Sequence, residues 1–534
     1  MNFNYNDCPY NSQRMTAFAS NGMVATSQSL AANAGLDILK NGGNAVDAAI
    51  ATAATLTVVE PTSNGIGSDA FALVWVKNKL YGLNSSGPSP KNISIEAIKK
   101  RGYDEVPKYG FIPVTVSGAP GAWAELSNRF GELHFAELFK PAIRYARDGF
   151  PVSPVTAKAW EKQFKIYKEE LNGEEFKEWF KVFAPDGRPP KAGEMWSSED
   201  HAKTLEEIAE TNAKSFYKGR LAKKIVNFSD RYDGFLTMKD YSQFKPEWVE
   251  PINVNYRGYD IWEIPPNGQG LVALMALNII NEFDISSYNS VERYHIGIEA
   301  LKLAFSDGKK YITDKKEMSV KVDDLLSKDY ALKRKELIGG KAIKPEPGEP
   351  DKGGTVYLAT ADNQGNFVSF IQSNYMGFGS GLVVPGTGIS LQNRGNNFSL
   401  DPSHDNSLEP GKRTYHTIIP GFITKDNKPL GPFGVMGGFM QPQGHVQVVM
   451  NTIDYNLNPQ ASLDAPRWQW IKDKKIKLEN SFSERDAKLL LDKGHDIEIS
   501  LENSTFGKGQ IIWAKEGVLT GGTEPRADGV VASY

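Results

Sequence analysis

The spacing of apolar positions changes character along the chain. Residues 23–77 read as two helices and a strand. Ser27 is placed to cap a helix over residues 28–40, Asn41-Gly42-Gly43 stops it, and Asn44 caps a second helix over 45–58. Residues 60–69 are rich in Gly, Ser and Asn and read as a loop, and 70–76 as a strand. Residues 121–335 are mainly helical, with a 3.6-residue period clearest at 204–210 and 291–311. Within them the charged and aromatic interval 164–200 is expected as an exposed helical excursion. A Pro- and Lys-rich linker follows over 336–354, and strand signals dominate from 355 onward. A helix-rich part before a strand-rich part, without regular alternation, predicts a layered α+β fold. An αββα sandwich fits this pattern better than a parallel doubly wound sheet.

The linker-to-strand junction carries the candidate chemistry. Residues 356–361 and 367–373 alternate as strands around a turn at 362–366. A hairpin centred on Gln364 puts Thr355 directly opposite Ser373, with side chains about 5 Å apart. A register slip of one residue would send Ser373 to the other face. Gly353 and Gly354 lack a Cβ and can form a tight turn that brings the Thr355 hydroxyl to the preceding carbonyl. A cut after Gly354 gives Thr355 both a hydroxyl nucleophile and an α-amine of pKa about 7.7–8.0, a base near neutrality. On these residues alone, an ordinary loop-to-strand junction stays open.

Composition narrows the class. The chain has 534 residues, 40% hydrophobic and 23% charged, with 61 basic against 64 acidic side chains for a formal charge of −3. These are the proportions of a globular protein, holding two to four average domains or one large layered fold. No basic stripe points to nucleic acid. The single cysteine, Cys8, excludes an internal disulfide framework and a thiolate metal site. The first residues carry neither a basic nor an apolar leader pattern, and 45–59 is too short to span a bilayer. A soluble cytoplasmic protein with no membrane partner is expected; self-association stays open.

Other motifs are weaker. Gly65-Ile66-Gly67-Ser68-Asp69-Ala70 matches a dinucleotide pattern, but a helix is predicted before it and a strand after it, the reverse of what a nicotinamide site needs. No phosphate-binding loop occurs. The seven histidines are scattered and predict no metal site. Gly379-Ser380-Gly381 lacks the spacing of a nucleophile elbow. Gly437-Gly438 reads either as a tight turn or as two backbone amides aimed at a developing oxyanion. Arg394 is a candidate fork for a substrate carboxylate or a surface arginine. His416 is a candidate substrate contact or a structural histidine.

Taken together, Asn41–Ala49, Gly65-Ile66-Gly67, Gly118-Ala119-Pro120-Gly121, Ala146–Phe150, Gly354-Thr355, Phe378–Gly381 and Met436-Gly437-Gly438 resemble the γ-glutamyltranspeptidase family of N-terminal-nucleophile hydrolases. The resemblance implies an αββα precursor that cuts itself into residues 1–354 and 355–534, which stay together as one domain. It implies Thr355 as nucleophile, Gly437 and Gly438 as the oxyanion pair, and Ser373 where the family has a supporting threonine. It implies no cofactor and a small amide as substrate. The family's substrate-binding positions differ here. Its ammonium-gripping aspartate is Asn397, its asparagine twenty residues after the nucleophile is Tyr375, and its Ser-Ser pair is His416-Thr417. The segment that carries its carboxylate-binding arginine reads Asn84-Ser85-Ser86-Gly87-Pro88. The residues around Arg394 and Ser373 look like a branch that includes oxamate amidohydrolase, where Arg394 would hold a carboxylate beside the scissile amide; cephalosporin-type acylases are also relatives. Competing readings are true γ-glutamyl transfer with rewired anchors and a catalytically silent binding protein.

Overall fold

The computed structural model describes residues 14–345 and 354–534. In chain order the strands of its two large sheets are β1 (Ala17–Ala19), β2 (Gly22–Thr26), β3 (Asp69–Val76), β4 (Lys79–Ser85), β5 (Glu247–Val249), β6 (Ile252–Tyr256) and β7 (Tyr259–Glu263). They continue as β8 (Gly354–Asp362), β9 (Phe367–Tyr375), β10 (Gly421–Lys425), β11 (Lys428–Met436), β12 (Lys508–Lys515), β13 (Val518–Thr523) and β14 (Val530–Ser533). One seven-stranded sheet has the order β14-β2-β8-β9-β3-β4-β5 and the other β1-β13-β12-β11-β10-β7-β6.

Side-chain parity explains the layers. On β8, Val356 and Leu358 point to one face and Tyr357, Ala359 and Ala361 to the other. The first pair packs into a core with α1 (Ser29–Lys40) and α2 (Ala45–Val59). The second set packs with Phe71, Ile371, Phe422 and Ile512 between the two sheets. On the second sheet Ile423, Phe433, Val435 and Ile511 face outward into a core with α3 (Gly270–Asn281), α4 (Ser290–Tyr311) and α5 (Met440–Ile453). Helix, sheet, sheet and helix are therefore stacked around three apolar layers, the predicted αββα sandwich. Among the described residues no helix is long and apolar enough to cross a membrane.

Local differences from the expected elements have physical causes. The cap of α1 is Gln28, not Ser27: Gln28 Oε1 accepts from the Leu30 and Ala31 amides. Ser27 Oγ instead donates to the buried Glu60 carboxylate at 2.5 Å. Asn44 does cap α2, in a reciprocal box with Asp47. The 164–200 interval is helical up to Glu170 and over Lys177–Phe183, irregular over 184–194, and its aromatic side is buried. Tyr167, Trp179, Phe183 and Trp196 pack inward with Trp160, and three of these rings surround Phe378 at 4.6 to 5.5 Å. Its charges lie on the outer face, as in the exposed Lys165–Glu161 and Lys177–Glu174 pairs. Strands β5 to β7 interrupt the helical region and complete one edge of each sheet. The linker is docked where it is described: Glu299 Oε2 accepts from the Ile343 amide at 3.1 Å and Lys302 Nζ donates to the Ile343 carbonyl at 3.0 Å. The turn expected at Gly353 lies outside the described residues.

Candidate active site

Strands β8 and β9 form the expected hairpin centred on Gln364, with Val356 opposite Gln372 and Ala361 opposite Phe367. A register shift follows toward the start of β8, where Gly354 stands opposite Tyr375. Thr355 Oγ1 donates to Ser373 Oγ at 3.2 Å. Ser373 pairs in turn with Asp69 on β3. Thr355, Ser373 and Asp69 thus form a row across three neighbouring strands. Ser373 and Asp69 share parity with Ile371 and Phe71, and Thr355 joins them through its hydrogen bond to Ser373, so the row faces the gap between the sheets. All three are fully buried.

A second group reaches Thr355 from α5. Gln441 Nε2 donates to Thr355 Oγ1 at 3.3 Å, and Gln441 Oε1 accepts from the Ile419 amide at 2.9 Å. Gly437 and Gly438 lie between β11 and α5 with φ of +135° and +59°, where a Cβ would be strained. Among the described residues neither amide has a backbone or side-chain acceptor. Their place just ahead of a helix N-terminus favours negative charge beside them. Gln269 Nε2 donates to the Gly438 and Thr417 carbonyls at 2.8 and 2.5 Å, joining this turn to the 415–419 segment.

The predicted binding residues cluster beside the row. Tyr375, held at φ +76°, donates from its backbone amide to Ser373 Oγ at 2.8 Å. Its hydroxyl donates to Asn397 Oδ1 at 2.6 Å, and Asn397 Nδ2 donates to the Tyr415 carbonyl at 3.1 Å. The Arg394 guanidinium lies 4.3 Å from the Tyr375 ring centre and donates from Nη1 to Thr417 Oγ1 at 2.7 Å. Arg394 is 1% exposed, and among the described residues its Nε and Nη2 have no acceptor. Burial lowers its pKa to about 10, against the attraction of Asp69. His416 is packed on Phe71 and is spent on Asp69: its Nδ1 accepts from the Ile418 amide, so Nε2 carries the proton and donates to Asp69 Oδ2 at 3.1 Å. Burial and Arg394 hold the His416 pKa well below its ordinary value. His416 therefore acts on the site through Asp69, whereas Thr417 orients Arg394.

A cavity of about 1090 Å³ opens beside Tyr375, Asn397, Tyr415 and Phe439, with Lys309 and Lys310 on its wall. The buried Thr355 and Arg394 do not line it. Three residues were missed from sequence as parts of the site. Gln441 and Gln269 carry no spacing signal. Asp69 was visible only as the tail of the glycine motif, although extending the hairpin register to a third strand would place it. The histidines are also less scattered than their numbering implies: His295, Glu299 and His495 bring ligand-type atoms within 4.8 Å of one another. There Glu299 is already paired with the Lys302 ammonium at 2.6 Å.

The γ-glutamyltranspeptidase family profile matches residues 31–534. The chain superposes on the crystal structure of a cephalosporin acylase from Bacillus halodurans with a TM-score of 0.97 and 60% identity, covering 100% of this chain and 99% of that one. It is 36% identical over 521 residues to the glutathione hydrolase-like YwrD proenzyme of Bacillus subtilis, covering 95% of this chain and 97% of that protein. It is 32% identical over 532 residues to the oxamate amidohydrolase proenzyme of Klebsiella pneumoniae, covering 97% and 99%. A family profile spanning nearly the whole chain, with nearly full-length matches to a glutathione hydrolase-like proenzyme, an amidohydrolase and an acylase, makes this chain an enzyme of the γ-glutamyltranspeptidase family of N-terminal-nucleophile hydrolases.

Proposed function

We propose that the protein is a self-cutting threonine amidohydrolase whose substrate is a small acyl amide bearing a carboxylate. The observation that carries this reading is the Thr355 hydroxyl, hydrogen-bonded by Ser373 and Gln441 at the start of a central strand. In processing, Thr355 Oγ1 attacks the Gly354 carbonyl carbon. The Thr355 nitrogen leaves as an amine, taking up a proton, and water hydrolyses the resulting ester. Residues 1–354 and 355–534 are the products. In the cut enzyme the new α-amine accepts the hydroxyl proton as Oγ1 attacks the substrate carbonyl. The Gly437 and Gly438 amides face the oxyanion, each such donor being worth about 3–4 kcal/mol in comparable sites. The proton passes to the leaving amine, and water then releases the acyl group as an acid.

Arg394, with two unfilled nitrogens, supports a carboxylate on the acyl group. Asn397 carries no negative charge with which to pair an ammonium, and its Oδ1 already accepts from the Tyr375 hydroxyl. These features favour an oxamate-type or cephalosporin-acylase-type substrate over a γ-glutamyl one. The likeness to a glutathione hydrolase-like proenzyme keeps γ-glutamyl cleavage as the second reading. Intact-mass measurement tests the nucleophile: the protein yields fragments ending at Gly354 and beginning at Thr355, and Thr355→Ala stays whole and inactive. Cutting in that variant rejects Thr355. Comparing a γ-glutamyl anilide with carboxylate-bearing acyl amides as substrates separates the two readings.

A further inference from the structure

The row from Thr355 through Ser373 ends on Asp69, a carboxylate that the hydrolytic steps above do not use. Asp69 is fully buried and accepts from the Gly87 amide on Oδ1 at 3.2 Å and from His416 Nε2 on Oδ2 at 3.1 Å. It interacts electrostatically with Arg394 but makes no ion-pair contact with it. Successive residues hold the two groups: His416 bonds Asp69 at 3.1 Å and Thr417 accepts from Arg394 Nη1 at 2.7 Å, which sets the carboxylate beside the guanidinium while leaving Arg394 Nε and Nη2 unfilled.

We propose that Asp69 is a specificity-determining residue that makes the Arg394 subsite take up a carboxylate together with one proton. The inference rests on the reading of Arg394 as the carboxylate grip. With Asp69 ionised, Arg394 is already compensated, and an arriving carboxylate puts two anions against one cation in a dry site. Protonating Asp69 removes that repulsion. Burial, opposed chiefly by Arg394, has already raised the Asp69 pKa to about 7, so the proton is available near neutrality.

The neighbouring groups do not serve as the proton acceptor. His416 is held neutral, with Nδ1 engaged by the Ile418 amide. Arg413 is engaged by the Ser86 carbonyl and Glu247. The Tyr217 and Tyr241 hydroxyls, which also feel Asp69, keep their protons because burial raises both pKa values. The remaining titrating group is the Thr355 α-amine created by the cut. The sign follows from linkage. The carboxylate prefers the form with protonated Asp69, so its affinity is level below the Asp69 pKa and falls as pH rises through about 7, toward about tenfold per pH unit. An uncharged acyl amide shows no such fall.

The test uses the processed enzyme, with succinamate and its uncharged methyl ester as competitors against a chromogenic acyl anilide, from about pH 6 to about pH 9. The inhibition constant of succinamate rises with pH in the wild type, that of the ester stays level, and Asp69→Asn removes the rise for succinamate. Arg394→Gln weakens succinamate about tenfold or more and spares the ester. If Arg394→Gln leaves succinamate unchanged, the carboxylate reading itself fails. If Arg394→Gln weakens it but the pH dependence survives Asp69→Asn, the Asp69 proposal fails and the dependence belongs to the Thr355 amine. Should Asp69→Asn not fold or cut, calorimetry on the wild type in two buffers of different ionisation heat decides: no proton uptake with succinamate near pH 8 overturns the proposal.

Discussion

Ser373 and Gln441 hold the Thr355 hydroxyl from two sides, and each makes a further hydrogen bond that fixes its own position. Removing one of them should slow the proposed cut by the worth of a hydrogen bond rather than abolish it. Ser373→Ala loses about 0.5–1.5 kcal/mol of support, or about twofold to tenfold in rate, and Ser373→Thr retains it. Gln441→Ala costs more, about 1–3 kcal/mol, because it also strands the buried Ile419 amide. Time-resolved gels of freshly refolded protein measure both rates; equal rates for wild type and Ser373→Ala would remove Ser373 from the mechanism. The approach of Ser373 to Thr355 was legible in the sequence because only a short hairpin separates the two. Gln441 was not, because it meets Thr355 through the packing of α5 between two distant parts of the chain, which leaves no periodicity. Asp69 needed the strand order, and a local pattern does not contain it.

The hairpin of β8 and β9 owes its position to the acid at its turn. Asp362 accepts from the Gln364 and Asn366 amides at 2.9 and 3.0 Å, and from the Ala45 amide at the start of α2 at 2.8 Å. Thr360 Oγ1 donates to the Ala45 carbonyl at 2.7 Å beside it. One side chain thus shapes the turn and supplies an otherwise orphaned helix N-terminal donor. Asp362→Ala is expected to cost about 1–3 kcal/mol, read as a lower denaturant midpoint at unchanged slope. An unshifted midpoint would mean that the ladder alone sets the hairpin. Elements of this kind were readable wherever their signals are local: α1, α2 and the hairpin each have a period and a stop. Strands β5 to β7 were not, being three to five residues long and stabilised as sheet edges. The interval 164–200 misled because composition averages over a helix, whereas burial depends on which face carries the aromatics.

At the scale of the whole molecule, the proposed cut would fall inside a structure that already mixes its two halves. In one sheet β2, β3, β4 and β5 come from before residue 355 and β8, with Thr355, β9 and β14 from the other side, in the order β14-β2-β8-β9-β3-β4-β5. Separating the halves means breaking the β14–β2, β2–β8 and β9–β3 ladders together. The other sheet adds the β1–β13 and β10–β7 ladders. The three apolar layers also draw on both halves, so each half alone would expose the core of both sheets. The proposed cut would change connectivity at one strand end and leave these ladders intact. The two fragments are therefore expected to elute as one species after processing and to unfold in a single denaturant transition, followed by fluorescence of the Trp residues present in each half. Fragments that separate under native conditions, or unfold in two independent steps, would mean that each half carries a core of its own, contrary to the interleaved strand order.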